Sequence, residues 1–177
     1  MTHLIRPGLD FRDLFRAFEH TAFRLEARDH YDAPYENESL RKFLSGKPDD
    51  LPWMQAWLTL LRDLTAEGRR VARVRVVSMP LTDYSRFGVW CAQFTNSAGE
   101  DIRYLPRDLA AAEGVPSHDY WLFDSRTLVK MHFDDEDRFL GGEATGDPAV
   151  IVQHNYWRDA AWHRAMRRDD FAAQHHL

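Results

Sequence analysis

The stretch VPSHDYWLFDSRTLVKMHFDD, residues 115–135, holds two short apolar runs, YWLF (120–123) and TLVKMHF (127–133), split by Asp124, Ser125 and Arg126. Two β-favouring runs joined by a short polar segment predict a β-hairpin. The same stretch carries His118, Asp124 and His132. Imidazole titrates near neutrality and a carboxylate can orient it, so these three residues form the candidate general acid/base or metal set. The plainer alternative has Asp124 shaping the turn while the histidines sit at strand ends. Which alternative holds decides whether the chain reads as an enzyme or as a binding protein.

Upstream, VARVRVVSM (71–79) alternates Arg73 and Arg75 against Val74 and Val76 and predicts a strand that ends before Pro80. In the next segment Tyr84, Phe87, Cys91 and Phe94 recur at helical spacing. A helix over 82–97 is expected, capped by Thr82 or Asp83 and stopped near Gly99. DIRYL (101–105) is the following strand, and strand, helix, strand at these lengths imply a right-handed crossover joining a parallel pair. Downstream of the hairpin, Asp147 caps a helix with Pro148 in its first turn that runs to about Arg168. AAQHHL (172–177) is expected to be a loose tail. DDED (134–137) lacks the spaced ligands and glycine of a calcium loop and reads as a solvated turn.

Toward the amino end, Phe11, Leu14, Phe15, Phe18, Ala22 and Leu25 predict one amphipathic helix over 10–28, capped by Asp10. A short helix near 38–44 and a second clear helix from about Leu51 to Gly68, capped by Asp50, follow. The chain is therefore expected to be a single domain over 1–177, mainly helical in 1–68 and α/β in 71–168. The fold class is mixed α/β.

Composition narrows the function classes. With 44% hydrophobic residues over 177 positions, the chain is long and apolar enough for a substantial core. Arg6, Asp10, Arg12, Asp13, Arg16 and Glu19 interrupt any amino-terminal apolar run, and no stretch reaches membrane-spanning length, so no membrane contact and a cytoplasmic location are expected. A net charge of −5 argues against direct nucleic-acid binding. Cys91 is the only cysteine, which excludes an internal disulfide and a multi-cysteine zinc site. His154 and His163 lie nine residues apart, out of phase on a helix, so no metal site and no cofactor are expected.

A ligand site is expected at the carboxyl ends of the parallel strands, where open α/β sheets bind ligands. Ser78, Thr82, Asp83, Tyr84 and Arg86 follow the first strand and Arg107 the second, and the helix start would add free N–H groups for a small anionic ligand. The competing view is ordinary helix capping with surface arginines. Arg73, Arg75 and Arg103 are unusual on strands. They are expected to line a polar sheet face or to pair with Glu26, Asp29 or Glu36. Trp53, Trp57, Trp157 and Trp162 serve either the core or a partner surface.

The runs FRDLFRAFEHTAFRLEARDHY, RVRVVSMPLTDYSRF, GEDIRYLPR, DYWLFD and GDPAVIVQHNYWRDAAW resemble an actinobacterial family of small domains of unknown function, often encoded beside helix-turn-helix regulators. That resemblance implies a helix-turn-helix regulator protein as partner and brings no activity with it. Residues 71–168 also resemble one half of a phospholipase D-like domain, with the order of elements around WLFDSRTLVKM carrying the likeness. In active members of that class a His, a Lys two residues later and an Asp five residues after that act on a phosphodiester, and two such sets make one site. Aligning Asp124 with that aspartate places Ser117 at the histidine position and Asp119 at the lysine position, while His118 falls one residue out of register. The resemblance thus implies a degenerate, non-catalytic sheet half with packed helices and an N-terminal helical segment. The function it suggests is a regulatory or interaction module. The alternatives are a phosphodiesterase-type hydrolase or transferase with a rearranged site, and a component of a toxin–antitoxin-like pair; a homodimer stays open.

Overall fold

TAFRLE and RVARVRVV, two alternating runs far apart in sequence, lie side by side at the centre of one mixed sheet. The computed structural model describes residues 3–6 and 8–177. In chain order the elements are β1 (His3–Ile5), α1 (Leu9–Ala17), β2 (Thr21–Glu26), α2 (Asn37–Leu44), α3 (Gln55–Ala66), β3 (Arg70–Val77) and α4 (Asp83–Ser97). There follow β4 (Glu100–Pro106), α5 (Arg107–Ala112), β5 (Tyr120–Phe123), β6 (Thr127–Phe133), β7 (Phe139–Thr145), α6 (Pro148–Arg164), β8 (Met166–Arg167) and α7 (Arg168–Gln174). Single 3-10 turns occupy Pro34–Glu36 and Pro52–Met54.

Among the described residues the strands form one eight-stranded sheet in the order β1-β7-β6-β5-β2-β3-β4-β8. β2, β3 and β4 run parallel, and the β5-β6-β7 meander joins antiparallel through β5. Strand residues alternate between faces, so each strand feeds two layers. One layer packs Ala22, Val71, Trp121, Phe123 and Val129 under Phe15, Leu58, Leu61 and Phe87 of α1, α3 and α4 and under Phe18, which follows α1. The opposite layer packs Phe23, Leu25, Val74, Tyr120 and Leu122 against Ala110 of α5 and Ile151 and Ala161 of α6. This is a mixed α+β fold, as expected.

Several expected elements are present: β3, α4 with Thr82 as its cap, the parallel partner β4, the β5–β6 hairpin, and α6 capped by Asp147. Others need correction. The helix expected over 10–28 stops at Ala17, and Thr21–Glu26 is the strand between β3 and β5. Its alternation fits a strand buried on both faces, and ladder pairing on both edges overrides the helical spacing that Ala22 and Leu25 continue. Asp10 does not cap α1; Gly8 holds that position and Asp10 accepts hydrogen bonds from Arg6. Nor does Asp50 cap the third helix, because Leu51, with φ of 48°, leads into the 3-10 turn first. The expected tail, 172–177, begins inside α7, where Ala172 is buried and the preceding Phe171 stacks on Tyr104 with ring centroids 4.8 Å apart. β7, in FLGGEAT, was not anticipated.

Candidate functional site: a charged floor beneath an aromatic chamber

The period of two places Arg24 and Glu26 of β2, Arg73 and Arg75 of β3, and Glu100 of β4 on one face of the sheet. The parallel register sets Arg24 level with Arg73 and Glu26 level with Arg75. Two arginines side by side would repel, and Glu26 offsets this by drawing in three guanidinium groups. Arg73 Nη1 donates to its Oε1 at 2.6 Å and Arg75 Nε to its Oε2 at 2.5 Å. Arg24 Nε lies 3.1 Å from Oε1, close enough for an ion pair although buried without an aligned hydrogen bond. Burial alone would raise the Glu26 pKa, but Arg73, Arg75 and Arg24 hold it far below the carboxylate range. The pairing expected for Arg73 and Arg75 with Glu26 is thus present.

The network extends at both sides. Arg73 Nε donates to Glu100 Oε1 at 2.9 Å, and Arg75 Nη1 donates to the Gly88 carbonyl at 3.0 Å. Arg24 Nη2 and the Tyr31 hydroxyl both donate to Asp119 Oδ2, at 3.2 and 2.6 Å. Above this floor opens a chamber of about 890 Å³. Its walls include Phe15, Trp53, Trp57, Tyr84, Phe87 and Phe133, carried by α1, the Pro52–Met54 turn, α3, α4 and β6. Trp57 Nε1 donates to Glu100 Oε2 at 3.3 Å and Trp53 Nε1 to Ser39 Oγ at 3.0 Å, so both indoles are fixed by their N–H groups. Glu36 stands in the wall, accepting from the Tyr84 hydroxyl at 2.8 Å. Burial raises its pKa, and among the described residues it has no ion-pair partner.

The residues expected to form an anion site do not converge on the chamber, except Tyr84. Ser78 donates from its backbone N–H and its hydroxyl to Asp29, at 2.8 and 2.5 Å. Arg107 closes this knot, donating to Ser78 Oγ, Asp29 Oδ2 and the Ala27 carbonyl at 2.9, 2.9 and 2.8 Å. Most of its donors are therefore engaged within the protein. Thr82 Oγ1 accepts from the Ser85 N–H at 3.0 Å as the helix cap, while Asp83 and Arg86 are exposed on the first turns of α4.

His118, Asp124 and His132 likewise fall into separate roles. Asp124 sits at the turn end of the hairpin with φ of 50°, and its carboxylate accepts from the backbone N–H groups of Glu19, His20 and Thr21 at 2.8, 2.8 and 2.9 Å. Burial alone would raise its pKa, yet these three donors hold it below the ordinary value. His118 precedes the other end of β5, some six residues away, or roughly 20 Å along an extended chain. The hairpin register brings His132 to that same end, where its Nε2 lies 3.4 Å from Glu143 Oε2. His118 Nε2 instead meets His154 Nε2 of α6 at 3.2 Å, and His154 Nδ1 is 2.8 Å from the Val150 carbonyl. A carbonyl only accepts, so His154 carries its proton on Nδ1 and takes a hydrogen bond from His118 at Nε2. Burial pushes the His118 pKa down to about 4, which keeps this pair neutral at pH 7. Trp157 packs on both rings, and Trp162 lies under the Arg103 guanidinium at 3.7 Å. Among the described residues no group of three His, Cys, Asp or Glu side chains is placed to hold a metal ion.

This sheet order and its helical layers define a phospholipase D-like fold. A crystal structure of a phospholipase D family member, Nuc from Salmonella typhimurium, superposes with a TM-score of 0.54 and 10% identity over 94% of this chain and 95% of that one. A phosphatidylserine synthase from Haemophilus influenzae Rd KW20 matches with a TM-score of 0.47 and 10% identity, over 94% of this chain and 39% of the other. Residues 9–173 match the family described as a domain of unknown function (DUF6879), and the chain belongs to that family. No curated protein matches the sequence. No helix among the described residues is long and apolar enough to cross a membrane.

Proposed function

We propose that the protein is a non-catalytic regulatory module that holds a small molecule in the chamber on the helical side of its sheet and works with a helix-turn-helix DNA-binding partner in the cytoplasm. The observation that carries this is how the hairpin positions corresponding to a phosphodiester-cleaving set are used. Ser117 is exposed where the histidine would stand, Asp119 is tied to Arg24, Tyr31 and the Ala27 N–H where the lysine would stand, and Asp124 is consumed by three backbone donors. A phosphate approaching there would meet a carboxylate in place of a cation. The chamber, by contrast, has a volume typical of small-molecule sites, apolar walls and a few fixed polar groups. The helix-turn-helix partner is supported by the genetic company that the sequence resemblance implies.

One observation favours a second reading. The His118–His154 contact is a partly buried imidazole pair of the kind a rearranged hydrolase could use as acid and base. Incubation with bis(4-nitrophenyl) phosphate decides between them. The regulatory reading expects release of nitrophenolate no faster in wild type than in His118→Ala, whereas turnover that His118→Ala abolishes would overturn it in favour of the hydrolase.

A further inference from the structure

From the charges and rings around the chamber we infer that its ligand is an organic cation: an ammonium or guanidinium group carried on an apolar or aromatic body. This rests on the chamber being a ligand site, as proposed above.

The floor disfavours an anion although it contains arginine. Arg24, Arg73 and Arg75 are each engaged by carboxylates, and an incoming anion would compete with Glu26 for all three. The chamber lining carries five arginines, Arg12, Arg16, Arg24, Arg73 and Arg75, and five carboxylates, Glu26, Asp32, Glu36, Glu100 and Asp137, so net charge alone does not set the sign of the ligand. Arg12, Arg16 and Asp32 are exposed and Asp137 is engaged by Arg28, so the sign is set by the deeper group that, among the described residues, stands without an ion pair. That group is Glu36, half-buried and, among those residues, bonded through its carboxylate to the Tyr84 hydroxyl alone. A charge in that position is stabilised by a cation placed within a few ångströms in a site of reduced dielectric.

The walls supply the second half of the recognition. The Trp53 and Trp57 indoles, anchored by their N–H bonds to Ser39 and Glu100, line the chamber together with Tyr84, Phe87 and Phe133, and aromatic rings of this kind attract cations. The protein already uses its aromatic rings this way. Arg24 and Arg73 lie over Trp121 at 5.5 and 5.8 Å, and Arg28 over Phe133 at 4.9 Å. A ligand cation beside Glu36, with its body against the rings, extends the same pattern into the empty volume.

The test titrates the full chain with three probes of similar size, benzyltrimethylammonium, phenylphosphonate and benzyl alcohol, following tryptophan fluorescence. Saturable binding of benzyltrimethylammonium in preference to the other two is expected, with affinity falling roughly tenfold in Glu36→Gln, as for loss of one partly buried charge partner. Preference for phenylphosphonate would overturn the cation inference while leaving the chamber as a ligand site. Binding of none of the three would overturn the cation inference and the ligand-module proposal together. The wild-type probe series decides the sign of the ligand even if Glu36→Gln fails to fold.

Discussion

Replacing Glu26 by Gln removes the negative centre on which three guanidiniums converge and leaves the shape almost unchanged. The Glu26 side chain is 7% exposed and those of Arg24 and Arg73 are 12% exposed, so the cations cannot simply turn to water. Breaking a buried charge pair from one side costs about 3–5 kcal/mol, because the remaining partner stays desolvated. Gln still offers one carbonyl oxygen, which places the expected loss near the lower end, at about 3 kcal/mol. For a chain of this length that corresponds to a fall in Tm of roughly 10 °C. Urea denaturation followed by tryptophan fluorescence reads it directly. The pH dependence gives a second check. The folded pKa of Glu26 is depressed, so its contribution is fully present above its unfolded value near 4.5 and is lost as pH falls from there toward the folded one. Wild type should therefore lose stability faster than Glu26→Gln on acidification below about pH 5. A variant within about 1 kcal/mol of wild type at pH 7, with a parallel acid limb, would refute the idea that Glu26 organises the floor.

Three further outcomes follow from the same geometry. Asp124→Asn, which turns one acceptor oxygen into a donor facing backbone N–H groups, should cost about 1–3 kcal/mol in urea denaturation; no loss would mean the three bonds to residues 19–21 do not anchor the hairpin. Phe171→Ala should cost about 3–5 kcal/mol and release α7 to hydrogen exchange; unchanged stability would return the carboxyl end to a loose tail. Gly88→Ala puts a Cβ 2.6 Å from Arg75 Nη1, against a guanidinium held by Glu26, and should destabilise by about 1–3 kcal/mol in the same assay; a neutral result would show that Arg75 shifts freely.

The parts of the fold legible in the sequence are those where one local pattern acts alone. β3 alternates cleanly, α4 has its cap and helical spacing, and α6 opens on Asp-Pro. β2 was obscured because helical spacing runs on from Phe11 through Leu25 without a glycine or proline, while the charged residues on its buried face hide the strand. β7 carries two glycines, and Gly142 sits where a Cβ would come within 2.8 Å of Val129 Cγ1, so its role is close packing that has no apolar signature. The site divides in the same way. Strand arginines facing Glu26 could be anticipated from their alternation. The chamber could not, since its walls come from segments between Phe15 and Phe133 that only the tertiary fold brings together. Arg107 and Asp124 looked free as letters; the backbone carbonyl and N–H groups that occupy them leave no trace in side-chain identity.

The most direct single measurement is native mass spectrometry on the tagged protein purified from its own cells. A mass increment from one retained small molecule per chain, together with a stoichiometric helix-turn-helix protein, is the predicted result. A bare, unpartnered chain in a preparation that hydrolyses phosphodiesters would contradict the proposal and move attention from the chamber to His118 and His154.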